Sequence, residues 1–273
     1  MNILIMLGVA AIALCLLWSV QSVALTLVGE PLAWPLRFTT RKPVVRWTGR
    51  VMIHTSWLVI LVGTPLALGI RPLDALHQMF PVPVPWRDVA IAFSITFFPA
   101  LLVYVLLIKA GWVRIELQHD QSTRRGKLLR RFLGCLPLAT LEEAVFRGVL
   151  LEQLLRSFPR SGPSTVLAVA LSSAIFASVH FIKRPYPGKP VWQPAYGFFI
   201  VGCIFGLAYV IGGRSLWLPI VVHATMILVI EVMKLYSVHQ APPWLMGYSE
   251  FPQCGLVGSI YVLGVGIALA LLI

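Results

Sequence analysis

The chain has 273 residues, of which 58% are hydrophobic and only 12% are charged, and its mean hydropathy is +0.86. In soluble domains about a quarter of the residues are charged, so this composition excludes a water-soluble globular protein. The net charge of +12 would fit a nucleic-acid-binding protein. However, the basic residues lie mostly in loops between apolar segments, where membrane topology and anionic lipid headgroups explain them better. We therefore expect an integral membrane protein that does not bind nucleic acid.

Eight apolar segments are long enough to cross a hydrocarbon core of about 30 Å. They predict an all-α, polytopic membrane protein, a bundle of about eight transmembrane helices that forms a single domain over residues 1–273. The first segment has no basic region and no small-residue cleavage site, so we expect it to be retained as a span. In chain order, the predicted spans are 3–28, 51–70, 89–110, 131–155, 163–182, 195–212, 215–235 and 255–273.

The distribution of Lys and Arg among the loops predicts the orientation of the bundle. Of the 22 basic residues, 16 belong to loops 1, 3, 5 and 7, five belong to the other loops, and Arg147 lies within a span. Because cytoplasmic loops are enriched in Lys and Arg, we expect the odd-numbered loops in the cytoplasm and both termini on the non-cytoplasmic side. In a bacterium this membrane would be the inner membrane. The basic stretch 111–127 is expected to lie along the interface or to form a solvated linker.

Span 4 carries three ionisable residues near its centre, which is costly in lipid and indicates a buried partner or a function. Glu143 and Arg147 are four residues apart on one helical face and can form an ion pair. Glu142 points about 100° away from Glu143 and has no oppositely charged partner on its own helix. We therefore predict that the charge of Glu143 is balanced by Arg147. Glu142 is predicted to stay available in a dry site, as suits a general base acting on water.

Spans 5 and 7 each place a histidine within the membrane. Phe176 and His180 share one face of span 5, and His223 lies in span 7 with Glu231 two turns further on. A single intramembrane histidine is more often a hydrogen-bonded packing residue, and a single Glu–Arg pair is more often structural. Two histidines and a glutamate on three helices, in a chain nearly free of other mid-span charge, favour a functional cavity.

These residues resemble the active-site pattern of the CPBP family. That family comprises the type II, glutamate-class CAAX prenyl endopeptidases and the bacteriocin-processing and immunity-related membrane proteins. Each motif is short, whereas the order and spacing of the motifs are specific, and they define a family-like catalytic core over roughly residues 128–235. The motifs are EExxxR (Glu142 to Arg147), FxxxH (Phe176 to His180), GxxxG (Gly202 to Gly206) and the segment SLWLPIVVH that ends at His223.

The resemblance implies an intramembrane endopeptidase that hydrolyses a peptide bond in a membrane-associated or lipid-modified protein, without a covalent intermediate. Glu142 would activate the attacking water, His180 would orient that water, and His223 would stabilise the oxyanion. Glu143 and Arg147 would hold span 4 and its neighbours in place, with Phe176 as a further supporting residue. Water would reach the cavity from the cytoplasmic side, because His180 lies near the cytoplasmic end of span 5.

One position departs from the family pattern. The family has an Asn four residues after the span-7 histidine as a second oxyanion donor, whereas this chain has Ile227, which can donate nothing. The loss of one such donor typically lowers the rate by ~10²–10³. Either another group such as Ser173 replaces it, or the enzyme is weak or altered. The alternative is a non-catalytic family member, of the immunity or scaffold type, that binds a membrane peptide.

Two other classes fit the sequence less well. The chain has no HExxH motif. Glu142, His180 and His223 would be acceptable zinc ligands, but the resemblance points to a metal-independent glutamate mechanism, so we expect no catalytic metal and no other cofactor. A secondary transporter is expected to show inverted repeats or paired broken helices, and the sequence shows neither. The segment 241–254 has no explanation from the sequence.

Overall fold

The computed structural model describes residues 2–30, 43–117, 120–182, 192–248 and 252–273. Six basic residues of loops 1 and 5, on which the predicted orientation partly depends, lie outside these ranges: Arg37, Arg41, Lys42, Lys183, Arg184 and Lys189. The helices are α1 Asn2–Leu27, α2 Pro43–Ala67, α3 Pro72–Met79, α4 Trp86–Lys109, α5 Gln121–Glu143, a π-helix Ala144–Leu151, α6 Glu152–Ser157, α7 Gly162–Ile182, α8 Trp192–Ile211, α9 Trp217–Tyr236, α10 Pro243–Met246, a 3₁₀ turn Pro252–Cys254 and α11 Leu256–Leu272.

The predicted all-α membrane bundle is confirmed. Of the eight predicted spans, one corresponds to α11, which is shorter, and one to the run from α5 through the π-helix to α6. The other six spans correspond to helices that are long and apolar enough to cross a membrane: Ile3–Leu27, Pro43–Ala67, Trp86–Lys109, Gly162–His180, Trp192–Ile211 and Trp217–Tyr236. The protein is therefore a multi-pass integral membrane protein.

Helix α5 begins ten residues earlier than the predicted start of span 4 at residue 131, because a capping residue precedes it. The carboxylate of Asp120 accepts a hydrogen bond from the backbone N–H of Thr123 at 3.0 Å, which is the usual bond of a helix N-cap. The Ser122 hydroxyl also donates to this carboxylate. These hydrogen bonds from Ser122 and Thr123 hold the pKa of Asp120 below its usual range.

A two-stranded ribbon occupies part of the stretch 111–127. Strand β1, Val113–Ile115, pairs antiparallel with β2, Ser237–His239, so that Val113 lies opposite His239. The rest of the described stretch includes the first turns of α5. The segment is therefore not the plain linker that was one of the two expectations from the sequence. The ribbon fastens the connection between α4 and α5 to the end of α9, and so fixes two helices that line the candidate site.

The π-helix follows Glu143 directly and lies in the centre of the bundle. All eight of its residues are buried. A π-helix has wider turns than an α-helix and occurs frequently at functional sites. Here it separates the pair Glu142 and Glu143 from α6 while the helix stays unbroken to Ser157.

Two glycines allow α8 to pack closely on α7. A Cβ atom added at Gly202 would lie 3.0 Å from Ser173 Cβ, and one added at Gly206 would lie 2.8 Å from Val169 Cγ1. Side chains larger than hydrogen would push the helices apart, as the glycine-rich sequence predicts. This close approach brings the backbone carbonyl of Gly202 within reach of Arg147.

The outer helices pack around this centre. Helix α1 pairs with α2, where the Ser56 hydroxyl donates to the Ala13 carbonyl at 3.2 Å. Helix α11 packs on α8 and α4, and the Tyr261 hydroxyl donates to the carbonyl of Thr96 at 2.6 Å. The candidate site therefore lies among α5, α7 and α9, with α4, α8 and α11 as its outer walls.

Candidate active site

The structure brings Glu142, His180 and His223 to one cavity of about 340 Å³. Glu142 comes from the end of α5, His180 from α7 and His223 from α9. Phe176 and Ile227 also line it. Most of the remaining wall is apolar, so the ionisable groups face a largely apolar space inside the bundle. Sequence reasoning predicted a cavity among these three helices.

The ion pair predicted between Glu143 and Arg147 is present and fully buried. Arg147 Nη1 lies 3.3 Å from Glu143 Oε1, and Nε lies 3.3 Å from Oε2. The second contact is within ion-pair distance but is too poorly aligned for a hydrogen bond. Arg147 Nη2 donates to the carbonyl of Gly202 at 2.8 Å. The guanidinium thus ties the π-helix to both α5 and α8.

Aromatic rings surround the guanidinium of Arg147. Its central carbon lies 4.7 Å from the ring centroid of Phe176 and 5.2 Å from that of Phe205. Such contacts stabilise a buried cation through the negative face of the ring. The Phe176 ring also lies 4.6 Å from the ring of His180 and 6.3 Å from that of His223. Phe176 therefore lies between the two histidines and fixes their separation.

His223 contacts both glutamates of α5. Its Nδ1 lies 2.7 Å from Glu143 Oε1, and its Nε2 lies 3.7 Å from Glu142 Oε2. The short contact is a hydrogen bond, and because an ionised carboxylate only accepts, Nδ1 carries the proton. The longer contact is beyond hydrogen-bond range. The ring is stacked on Phe205 at a centroid distance of 4.3 Å, so Nε2 is held towards Glu142.

His180 is fixed by its own helix. Its Nδ1 lies 2.7 Å from the carbonyl oxygen of Phe176. A carbonyl only accepts, so Nδ1–H is the donor and Nε2 carries the lone pair in the neutral ring. The ring stacks on Phe198 at 4.1 Å between centroids. The imidazole thus lines the cavity in one defined orientation.

The buried charges nearly balance. Glu142, Glu143 and Arg147 together carry one net negative charge when both carboxyls are ionised and His223 is neutral. Of this cluster, Glu142 and His223 line the cavity, and Glu142 Oε2 faces His223 Nε2 at 3.7 Å.

Polar groups at the C-terminal end of α9 mark one end of the cavity. Glu231 and Lys234 both line it. Glu231 is paired with Lys234 at 2.6 Å and with Arg131 of α5 at 2.9 Å. The sequence showed Glu231 two turns beyond His223, but its partners depend on how α5 packs on α9. This is the end of α9 that adjoins loop 7.

The segment 241–254 contributes to the wall of the cavity. Met246, Pro252 and Gln253 line it together with residues of α11. The Tyr248 hydroxyl donates to Gln193 Oε1 of α8 at 2.9 Å, which attaches the segment to the bundle. Residues 249–251 lie outside the described residues. These wall residues were missed from the sequence because none of them belongs to a motif.

Ile227 lines the cavity one turn after His223. Ser173, the residue proposed to replace the missing donor, lies elsewhere. Its hydroxyl donates to the Val169 carbonyl at 2.7 Å, and it packs against Gly202. Ser173 is also not among the residues that line the cavity. The structure therefore gives Ser173 no part in replacing an oxyanion donor.

Within the described residues, no group of three His, Cys, Asp or Glu side chains is arranged to hold a metal ion. Glu142 and His223 approach each other, whereas His180 is directed by its bond to Phe176.

The fold and site define a multi-pass membrane protein with a buried Glu–His–Arg cluster in the centre of its helix bundle. The family model described as type II CAAX prenyl endopeptidase, Rce1-like, matches residues 125–229. This part of the chain is similar to that family, and it contains Glu142, His180 and His223. No curated protein and no solved structure matches the chain.

Proposed function

We propose that the protein is an intramembrane endopeptidase that hydrolyses a peptide bond in a membrane-associated or lipid-modified protein, with Glu142 as the base. One observation carries this proposal: Glu142, His180 and His223 come from three different helices and line the same buried cavity. The match of residues 125–229 to a family of CAAX prenyl endopeptidases supports it. The domain limits follow the same reasoning, with the catalytic core at 128–235 inside one transmembrane domain.

The first step is the activation of water. A water molecule beside Glu142 Oε2 and His223 Nε2, which are 3.7 Å apart, would donate one hydrogen bond to Glu142 and accept one from the protonated Nε2 of His223. His180 would orient the same water by accepting its second hydrogen bond at Nε2. As the water oxygen attacks the scissile carbonyl carbon, Glu142 takes a proton from it. When the tetrahedral intermediate collapses, the C–N bond breaks and Glu142 returns the proton to the leaving amine.

His223 can stabilise the oxyanion only when Nε2 carries a proton. Because Nδ1–H is already bound to Glu143, this form is the imidazolium. The Glu143 carboxylate, 2.7 Å from Nδ1, stabilises that positive charge. Arg147 in turn pairs with Glu143 and holds its carboxylate in place. Glu143, Arg147 and Phe176 thus serve as positioning residues, and they act on the reaction through His223.

The surroundings of the cavity favour a membrane-borne substrate. An apolar groove of about 540 Å³ runs between α4, α5 and α9, and Val229 lines both the groove and the cavity. A hydrocarbon chain or an apolar peptide segment fits such a groove. The polar end at Glu231 and Lys234 would admit water from the cytoplasmic side in the orientation predicted from loop charge, with both termini outside.

Purified protein in liposomes, supplied with a peptide that carries a farnesylated cysteine near its C terminus, provides the test. We expect release of the C-terminal fragment by the wild type and no release by Glu142→Gln, which keeps the size of the side chain. A matched peptide without the lipid shows whether modification is required. Equal cleavage by wild type and Glu142→Gln would overturn the role of Glu142.

Ile227 favours a second candidate function. Because it lines the cavity where the family has a donor, the protein can also be envisaged as a non-catalytic member that binds a membrane peptide. A binder would retain the lipidated peptide on both wild type and Glu142→Gln and would cleave it in neither. An enzyme would cleave it with the wild type only.

A further inference from the structure

A second cavity, of about 280 Å³, lies at the opposite end of the bundle from Glu231 and Lys234. It is bordered by the end of α2, by α3, by α6 and by the turn between α8 and α9. This turn immediately precedes α9, whereas Glu231 and Lys234 lie in the last turns of the same helix. The second cavity is therefore separate from the candidate active site. Its polar lining residues are Thr64, Gln78, Glu152, Gln153, Arg156, Tyr209 and Arg214.

Two arginines dominate the charge of this cavity. Arg156 Nε lies 2.6 Å from Glu152 Oε1, and Arg214 Nη1 lies 3.5 Å from the same oxygen. The other carboxylate oxygen accepts from the Tyr209 hydroxyl at 3.0 Å. Glu152 is thus fully engaged, and it balances only one of the two guanidiniums. Within the described lining these are the charged groups, so the cavity carries one net positive charge.

Two buried polar atoms in the same lining lack partners. Thr64 is 1% exposed and Gln153 is 6% exposed. Thr64 Oγ1 and Gln153 Oε1 make no hydrogen bond to any described residue. A buried polar atom without a partner is unfavourable, and a bound water or ion is one of the explanations for such atoms in native proteins. A hydroxyl and an amide oxygen without partners thus line the same cavity as two guanidiniums.

We propose that this cavity binds a phosphate group, carried by a phospholipid headgroup or supplied as free phosphate. The planar guanidinium of arginine matches phosphate oxygens and can bind two of them at once. The Thr64 hydroxyl adds a donor to the same group, and Gln153 Oε1 accepts from a hydroxyl or ammonium that accompanies it. The cavity lies at the ends of apolar helices, which is where lipid headgroups are found. The proposal is independent of the peptidase chemistry.

Arg160 provides a matched control. It belongs to the same end of the bundle, between α6 and α7, but it lines a neighbouring cavity together with Ser161 and Ser164 rather than the one proposed here. Arg160→Gln removes the same charge as Arg156→Gln or Arg214→Gln. A general effect of positive charge on anion binding would therefore appear equally in all three variants.

The experiment measures thermal unfolding of delipidated protein in a phosphate-free maltoside detergent. The probes are inorganic phosphate, dioctanoyl phosphatidylglycerol and, as the lipid without phosphate, dioctanoylglycerol. We expect phosphatidylglycerol to stabilise wild type and Arg160→Gln, with an apparent Kd about tenfold weaker in Arg156→Gln and Arg214→Gln. If inorganic phosphate gives the same pattern, the phosphate alone is recognised. If it gives none, the ligand is the lipid headgroup.

Thr64→Val keeps the test informative if an arginine variant fails to fold, because it removes only a hydroxyl. We expect it to weaken the phosphate-dependent stabilisation while the ligand-free protein unfolds at the same or a higher temperature. Three results would overturn the proposal: no stabilisation by either phosphate probe, equal stabilisation by dioctanoylglycerol, or an equal loss of binding in Arg160→Gln.

Discussion

The imidazole of His223 is hydrogen-bonded to Glu143 and not to Glu142. Its Nδ1 lies 2.7 Å from Glu143 Oε1, whereas the distance from Nε2 to Glu142 Oε2 is 3.7 Å. The two adjacent carboxylates therefore have different surroundings. Glu143 is fully buried between an arginine and a histidine, whereas Glu142 faces the cavity. This difference gives opposite expectations for the two amide substitutions.

Glu143→Gln is expected to destabilise the fold. It leaves Arg147 buried without its counter-charge, and breaking a buried ion pair in this way costs about 3–5 kcal/mol. Glu142→Gln leaves that pair intact and is expected to unfold within ~1 kcal/mol of the wild type, since it removes no buried ion pair. Thermal or denaturant unfolding in detergent measures both. Equal stability of the two variants would contradict the separate roles.

Ile227→Asn is expected to increase turnover. The amide would add a donor one turn from His223, on the cavity wall, where the loss of a donor lowers the rate by ~10²–10³ in other hydrolases. We expect a rise in kcat of at least about tenfold, with little change in KM, since the gain arises in the transition state. Ile227→Leu, which donates nothing, is the control and should change kcat little. A similar rise in both variants would show that packing, not hydrogen bonding, limits the rate.

Gly202→Val is expected to separate α7 from α8. A Cβ atom there already lies 3.0 Å from Ser173 Cβ, and Val adds two further methyl groups. Overpacking of this kind costs about 1–3 kcal/mol, and it also displaces the carbonyl that binds Arg147. Gly134→Val is the matched control, because no atom lies within 4 Å of a Cβ atom at Gly134. Unfolding midpoints measured in detergent should fall for Gly202→Val alone.

The predicted orientation can be tested with reporter fusions in a bacterial inner membrane. Alkaline phosphatase fused after Ile273 should be active, because it would lie outside, whereas a fusion after Asp120 should be inactive. Green fluorescent protein at the same two positions should give the opposite pattern. Activity of the Asp120 phosphatase fusion would reverse the orientation and move the polar end of the cavity to the outer face.

Much of the fold could be predicted from the sequence, and so could the placement of Glu142, His180 and His223 in one cavity. Apolar length alone defines the long helices, and the i, i+4 spacing of Glu143 and Arg147 predicts their ion pair, since both depend on one helix at a time. The bond between Glu143 and His223 could not be predicted, because it joins α5 to α9 and depends on how these helices pack. The role first given to Ser173 failed for the same reason: its neighbour is Gly202 of α8.

Other features lie outside simple periodicity. The π-helix could not be predicted from the sequence, because all eight of its residues are buried and no alternation of polar and apolar residues shows its period. The ribbon joins two three-residue strands that are far apart in the chain, and such short strands carry too few residues for an alternating pattern. The cluster around Glu152 was missed because its members belong to α6, α8 and a turn. Each of these features arises from tertiary packing.

The central claim is that Glu142 activates a water that cleaves a membrane protein. Its most direct test compares the termini of membrane proteins, by mass spectrometry, in host cells that express wild type or Glu142→Gln at equal levels. The account predicts a set of new termini with the wild type that is absent with Glu142→Gln, and these termini would name the substrate. The same termini with both proteins, or none with either while both are stably inserted, would contradict it.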